Sequence, residues 1–124
     1  MEKIRVFIAD DSPVARNILI RMLNKEHDIE IVGEAGTAQS SVMMLDEVSP
    51  DVILLEAAIG GGVSIARLLR DIKAIKPYIK IILCVEVNAA VDIIKEMERW
   101  VSDIIRKPYN KISLLRAIRN YDLF

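Results

Sequence analysis

One cysteine, one histidine, one tryptophan and 5% aromatic residues are all that the 124 positions hold of these types. Each shortage closes a class of function. A lone Cys84 cannot form an internal disulfide, and inside an apolar run it reads as a small buried hydrophobe and not a reactive thiol. His27 is expected on the surface near the end of the first helix, where a cation is mildly favoured, and it is no catalyst. Charge of one sign is missing too. Seventeen Lys and Arg stand against eighteen Asp and Glu with no run of like charge, which leaves no basic stripe for nucleic acid and no polybasic anchor for lipid. Hydrophobic residues make up 52% of the chain but come in short runs broken by charges, so no bilayer-spanning helix is expected. No secretory leader precedes Met1-Glu2-Lys3, and a cytoplasmic protein fits best. The length suits one domain, residues 1–124, with a real core.

Apolar runs of strand length alternate with segments whose apolar residues recur at three and four, the signature of alternating strands and helices. Five such units are predicted. The strands are read as Ile4 to Ala9, Ile29 to Gly33, Val52 to Leu55, Lys80 to Val85 and Asp103 to Arg106. The first helix starts most clearly, with Ser12 as N-cap and Pro13 at the first helical position. Its inward stripe is predicted as Ala15, Ile18, Leu19, Met22 and Leu23. Later stripes are Ala38, Val42 and Leu45; Ile65, Leu68, Leu69 and Ile72; Ala90, Ile94 and Met97; and Ile112, Leu115 and Ile118. Strands two to four are mostly apolar, as parallel strands covered on both faces are, and the helices supply right-handed crossovers. The expected fold is a three-layer αβα sandwich around a parallel sheet. Met43, Met44 and Trp100 are read as packing residues, and Gly60-Gly61-Gly62 as one flexible loop.

Acids finish two of these strands. Asp10 and Asp11 follow the first, Glu56 follows the third, and Lys107-Pro108 follows the fifth. In an open parallel sheet, ligands bind beyond the carboxyl ends of the strands, where the strand order reverses, so a doubly wound order brings these charges to one crevice. Two carboxylates about 4 Å apart repel by roughly 4 kcal/mol at an effective dielectric near 20, so such a cluster requires a cation or raised pKa values. Lys107 supplies one charge. Oxygen donors without His or Cys favour a hard ion such as magnesium, which takes one or two carboxylates and keeps several waters. Asp11-Ser12-Pro13 alone reads as a helix cap, and Lys107-Pro108 alone as a strand end; together with Glu56 they read as a site.

These residues resemble the receiver domains of two-component response regulators over nearly the whole chain. "VFIADDSPVARNILIRML" is similar to the family's first strand and helix with its acid pair, "DVILLE" to its third strand, and "IIRKPY" to its fifth strand with its Lys-Pro. With "IEIVGEAG", the opening is most similar to receivers that precede chemotaxis methylesterases or DNA-binding modules. The resemblance implies a flavodoxin-like five-stranded sheet of order 2-1-3-4-5 and a cis bond before Pro108. It also implies magnesium held by Asp10, Asp11 and the acceptor position, with the backbone carbonyl of Ala58 as a further ligand, and a phosphate contact from Lys107.

Four positions depart from that pattern: Gly60 stands where the family usually has a proline four residues after the acceptor, which loosens the loop without touching the chemistry, and three concern the chemistry itself. The phosphoryl acceptor, an aspartate in the family, is Glu56; the switch Ser or Thr is Val85; the switch aromatic residue is Ile104. A glutamate moves its carboxylate outward by about 1.5 Å, one C–C bond, and in-line phosphoryl transfer loses roughly a hundredfold in rate for a misplacement near 1 Å. The expectation is a pseudo-receiver that has lost its self-phosphorylation chemistry. It would bind magnesium weakly and act through protein contacts with a sensor kinase or an effector module. Its expected dimer face is helix four, strand five and helix five, over Ala89 to Glu98 and Lys111 to Tyr121. A phosphomimetic receiver is the alternative, with Glu56 paired to Lys107. A flavodoxin-like nucleotide binder is disfavoured because paired acids repel phosphate where a Gly, Ser or Thr loop is needed. A metal-dependent phosphohydrolase lacks an evident second base or nucleophile pair.

Overall fold

A computed structural model describes residues 2–59 and 64–120. Gly60-Gly61-Gly62, read above as a loop, and Tyr121, read as the end of the last helix, lie outside them. The strands are β1 (Ile4–Ala9), β2 (Ile29–Ala35), β3 (Val52–Glu56), β4 (Lys80–Val85) and β5 (Asp103–Arg106). The helices are α1 (Pro13–Leu23), α2 (Ala38–Val48), α3 (Ile65–Ile75), α4 (Val91–Met97) and α5 (Lys111–Arg119), and a single 3-10 turn, Glu98–Trp100, follows α4.

All strand pairs are parallel, in the order β2-β1-β3-β4-β5. Because side chains alternate along a strand, the sheet builds two cores. Phe7, Ile53, Leu55, Ile81 and Leu83 face α2, α3 and α4 through Leu45, Leu68, Leu69, Ile72 and Ile94. Val6, Ile8, Val52, Leu54, Ile82 and Cys84 face α1 and α5 through Leu19, Leu23, Leu114 and Ile118. The three-layer sandwich of the sequence reading is thus present.

Local chemistry explains the element boundaries. Ser12, Thr37, Ser64 and Asn110 each cap the helix that follows, their side-chain oxygens accepting from the backbone N–H of Ala15, Ser40, Arg67 and Ser113, which satisfies donors that a helix start leaves open. Helix α4 has Ala90 as its N-cap, without such a bond. The left-handed Ser49 ends α2.

β2 runs two residues past the predicted Gly33, and Ile31, Val32 and Gly33 in its middle are half-exposed because it is an edge strand. A bulge at Val6/Phe7 lets Phe7 lie over Gly33, where a Cβ would sit 2.9 Å from the ring. Met44 is half-buried beside this contact, whereas Met43 is exposed, contrary to its reading as a packing residue.

Three predicted core positions face water. Ile18 and Ile112 are exposed and Ala90 lies outside its helix as the cap. The stripe of α5 is Leu114, Ala117 and Ile118, one register away from the predicted one, because the apolar residues of α5 are compatible with two adjacent faces and only the sheet chooses between them.

Candidate functional site

β1 and β3 are adjacent and their carboxyl ends lie on the same rim. Asp10 begins the loop after β1; its N–H donates to the Ala35 carbonyl at 3.0 Å, and its Oδ1 accepts from the Ser12 N–H at 2.9 Å. The loop is pinned again by Arg16, which donates to the Asp10 carbonyl at 2.6 Å and to Glu34 Oε1 at 2.8 Å. Glu56 is the last residue of β3, opposite Cys84 of β4. Its Oε1 accepts from the Ala58 N–H at 3.2 Å.

Lys107 reaches this rim from the end of β5. Its N–H donates to the Val85 carbonyl at 2.8 Å, and the next peptide bond, to Pro108, is cis. The ammonium makes an ion pair with Glu56 Oε2 and stands 3.9 Å from Asp10 Oδ2 and 3.6 Å from Glu86 Oε1. Asp10 and Glu56 are 2% and 3% exposed, so this ammonium is the cation that makes two buried negative charges tolerable. Burial alone pulls the Lys107 pKa down, but the Glu56 carboxylate, then Asp10 and Glu86, outweigh it and hold the value above the ordinary lysine range.

The convergence predicted from sequence therefore holds for Asp10, Glu56 and Lys107. Asp11 is different: it is exposed, as expected of the neighbour of an inward-facing Asp10, and no ion pair reaches it among the described residues. Ala58 takes part through its backbone N–H. Val85 is buried and Ile104 half-buried, both in the core under α4. Neither offers a hydroxyl or a ring.

Sequence reasoning missed two participants. Glu86 joins Lys107 although it is the residue after β4, and no motif singles it out. Tyr109 places its ring 5.9 Å from the Lys107 ammonium, and its buried hydroxyl has no hydrogen-bond partner among the described residues. It faces the Cys84 thiol, and burial followed by that neighbour raises the phenol pKa. Burial likewise pushes the Cys84 thiol up to about 12, so the thiol is inert at neutral pH. The sequence signal for Tyr109 was its place next to Lys107-Pro108.

The fit to magnesium can be judged from the oxygens. Asp10 Oδ2 is buried and accepts no hydrogen bond among the described residues, the state of an atom suited to a hard cation. Among the described residues no three Asp, Glu, His or Cys side chains form a set able to hold a metal. Two buried carboxylates remain, the number that a largely hydrated magnesium ion takes, and Asp10 and Glu56 would hold it. A bound magnesium would neutralise charge that Lys107 leaves over.

Comparison with known proteins agrees with this architecture. A family model described as the response regulator receiver domain matches residues 6–119. The chain is 32% identical over 123 residues to a protein-glutamate methylesterase/protein-glutamine glutaminase 1 of Dechloromonas aromatica, a match covering 96% of this chain and 33% of that protein. It is 27% identical over 115 residues to the chemotaxis protein CheY of Listeria monocytogenes, covering 93% of this chain and 95% of that one. The response regulator domain of Thermotoga maritima CheB superposes with a TM-score of 0.82 at 25% identity, covering 95% of each chain. The chain spans about a third of the length of the methylesterases it matches. With the sheet order 2-1-3-4-5 and the Asp10, Glu56 and Lys107 rim in place, the chain belongs to the response regulator receiver domains of two-component signalling.

Proposed function

We propose that this receiver, a single domain over residues 1–124, works without phosphorylation and transmits its signal through protein contacts alone. The observation that carries the reading is the ion pair of Glu56 with Lys107. The carboxylate at the acceptor position is one methylene too long, and it reaches the ammonium that contacts the phosphate in the family. With Oε1 held by the Ala58 N–H and Oε2 by Lys107, neither oxygen is free for in-line attack on a phosphoryl donor. Val85 and Ile104 extend the argument past the acceptor. A phosphoryl group formed here would meet no hydroxyl to draw the β4–α4 loop inward and no ring to turn.

The ion pair also supports a second reading, in which Glu56 imitates a phosphorylated aspartate. Val85 and Ile104 weigh against it, because the added charge has no group to pull on. Hydrogen exchange of the β4–α4 loop separates the two: mimicry requires that Glu56→Ala alters its protection, and the first reading requires that protection stays the same.

Magnesium binding is proposed to be weak, at Asp10 and Glu56, with Asp11 at the open rim beside a hydrated ion. The partners proposed are a sensor kinase or an effector module in the cytoplasm. They would be met through α4, β5 and α5, where Lys95, Arg99, Arg106 and Arg116 mix with Asp92 and Glu96 in a pattern suited to pairing with a second copy; the domain itself is not proposed to touch nucleic acid. Incubation with acetyl phosphate and magnesium, followed by intact mass measurement, tests the main proposal. The expected result is an unchanged mass, and a rapid, labile gain of one phosphoryl group on Glu56 would overturn it.

A further inference from the structure

Beside the acid rim lies a cavity of about 370 Å³, between the turn after β3, the loop after β4 and helix α4. Its wall is largely apolar, with Ala57, Ile65, Val85, Ala89, Ile94 and Met97, and the polar residues on it are few: Glu56, Glu86 and Asn88. An apolar hollow with a small number of placed polar groups is the usual form of a small-molecule site. The loop that borders it after β4 is tied down, since the Arg106 guanidinium donates to the carbonyls of Val87 at 3.1 Å and Ala89 at 3.3 Å.

Charge selects the occupant. Asp10, Glu56 and Glu86 gather around the ammonium of Lys107, and with the Arg106 guanidinium on the neighbouring carbonyls the three carboxylates still outnumber the two cations, so a further cation is attracted and an anion repelled. A hydrated metal ion would satisfy the carboxylates but gain nothing from Val85, Ile94 and Met97. An apolar molecule without charge would use that wall and leave the carboxylates as they are.

We propose that this cavity binds a small primary amine, with its ammonium between Glu56 and Glu86 and its short alkyl body against Val85, Ile94 and Met97. This goes beyond the function proposed above and does not depend on it, because the hollow and its charge are the same whether or not Glu56 can accept a phosphoryl group.

Backbone amide NMR titration of the whole chain with n-hexylammonium, 1-hexanol, hexanoate and magnesium chloride, each alone, tests the proposal at neutral pH, where an alkylamine is protonated. Hexylammonium is expected to give saturable shifts at Ala57, Val85 and Ala89. Hexanol is expected to bind at least about tenfold more weakly, as loss of a charged hydrogen bond implies, and hexanoate not at all. Glu56→Gln should weaken hexylammonium by about the same factor. Ala89→Leu, which fills the hollow without changing charge, should abolish its binding. The proposal fails if hexanol binds as tightly as the amine, if binding survives Ala89→Leu, if no saturable shift occurs, or if magnesium reproduces the same pattern at Val85 and Ala89.

Discussion

The ammonium of Lys107, carried just past the end of β5, closes on the carboxylate of Glu56 at the end of β3, across the intervening strand β4. Both residues are fixed by backbone bonds to β4: Lys107 through the Val85 carbonyl and the turn after Glu56 through the Cys84 carbonyl, which accepts from Ala57. The pair is therefore a cross-strand clamp over the acid rim as well as a chemical feature of it.

Shortening the acceptor should restore chemistry. Glu56→Asp withdraws the carboxylate by one methylene from Lys107 and returns it to the depth at which the family attacks phosphorus. Its labelling rate by acetyl phosphate with magnesium is expected to exceed that of the wild type by about a hundredfold. Time-resolved intact mass measures this, and equal rates would show that length at position 56 is not what limits transfer.

Removing the clamp should cost stability. Lys107→Met leaves Asp10 and Glu56 buried without their cation, at an expected loss of about 1–3 kcal/mol in urea unfolding at neutral pH. The pH dependence has a definite sign. Because the folded-state pKa of Lys107 is raised, its contribution is complete below the unfolded lysine value, about 10.4, and is lost as pH rises through the folded value. The gap between wild type and Lys107→Met should therefore narrow only above that range.

Cys84 supplies a second alkaline effect. Its pKa is pushed up to about 12 by burial, against about 8.5 for a free thiol, so the unfolded chain ionises first and stability falls as pH climbs between these values. Cys84→Ala should flatten that slope. In the native wild type, a thiol reagent such as Ellman's should label Cys84 only at the rate of unfolding, and prompt labelling would contradict its burial.

Helix α5 is tied to the loop before β2 by charge. Arg119 donates to Asp28 at 2.7 and 2.8 Å and to Glu26 at 2.7 Å. The guanidinium lowers both carboxyl pKa values. The contribution is present above the unfolded carboxylate range, about 3.9–4.3, and disappears as pH falls through the lower folded values. Arg119→Ala should lower the unfolding midpoint at neutral pH and change it little at low pH. An equal drop at both would locate the effect in packing instead.

Gly33→Ala should be destabilising by about 1–3 kcal/mol, since its Cβ would meet the Phe7 ring at 2.9 Å and Phe7 is fully buried. Pairing it with Phe7→Leu, which withdraws the ring edge, should recover part of the loss in a double-mutant cycle.

By itself the sequence determined the alternation of strands and helices, the cap at Ser12, and the meeting of Asp10, Glu56 and Lys107. Strand period, helix period and capping are local properties, and a parallel sheet leaves few orders in which strand ends of this kind can fall. Tertiary structure decided what local pattern leaves open. Asp11 and Asp10 are neighbours of the same type, yet only Asp10 is turned inward, because successive side chains at a strand end point to opposite sides. Glu86, which no spacing marked, became the third carboxylate near the Lys107 ammonium because β4 ends beside β5. Ile18 and Ile112 sit on faces apolar enough for burial in either register and were left in water, since a helix can lay only one stripe on the sheet.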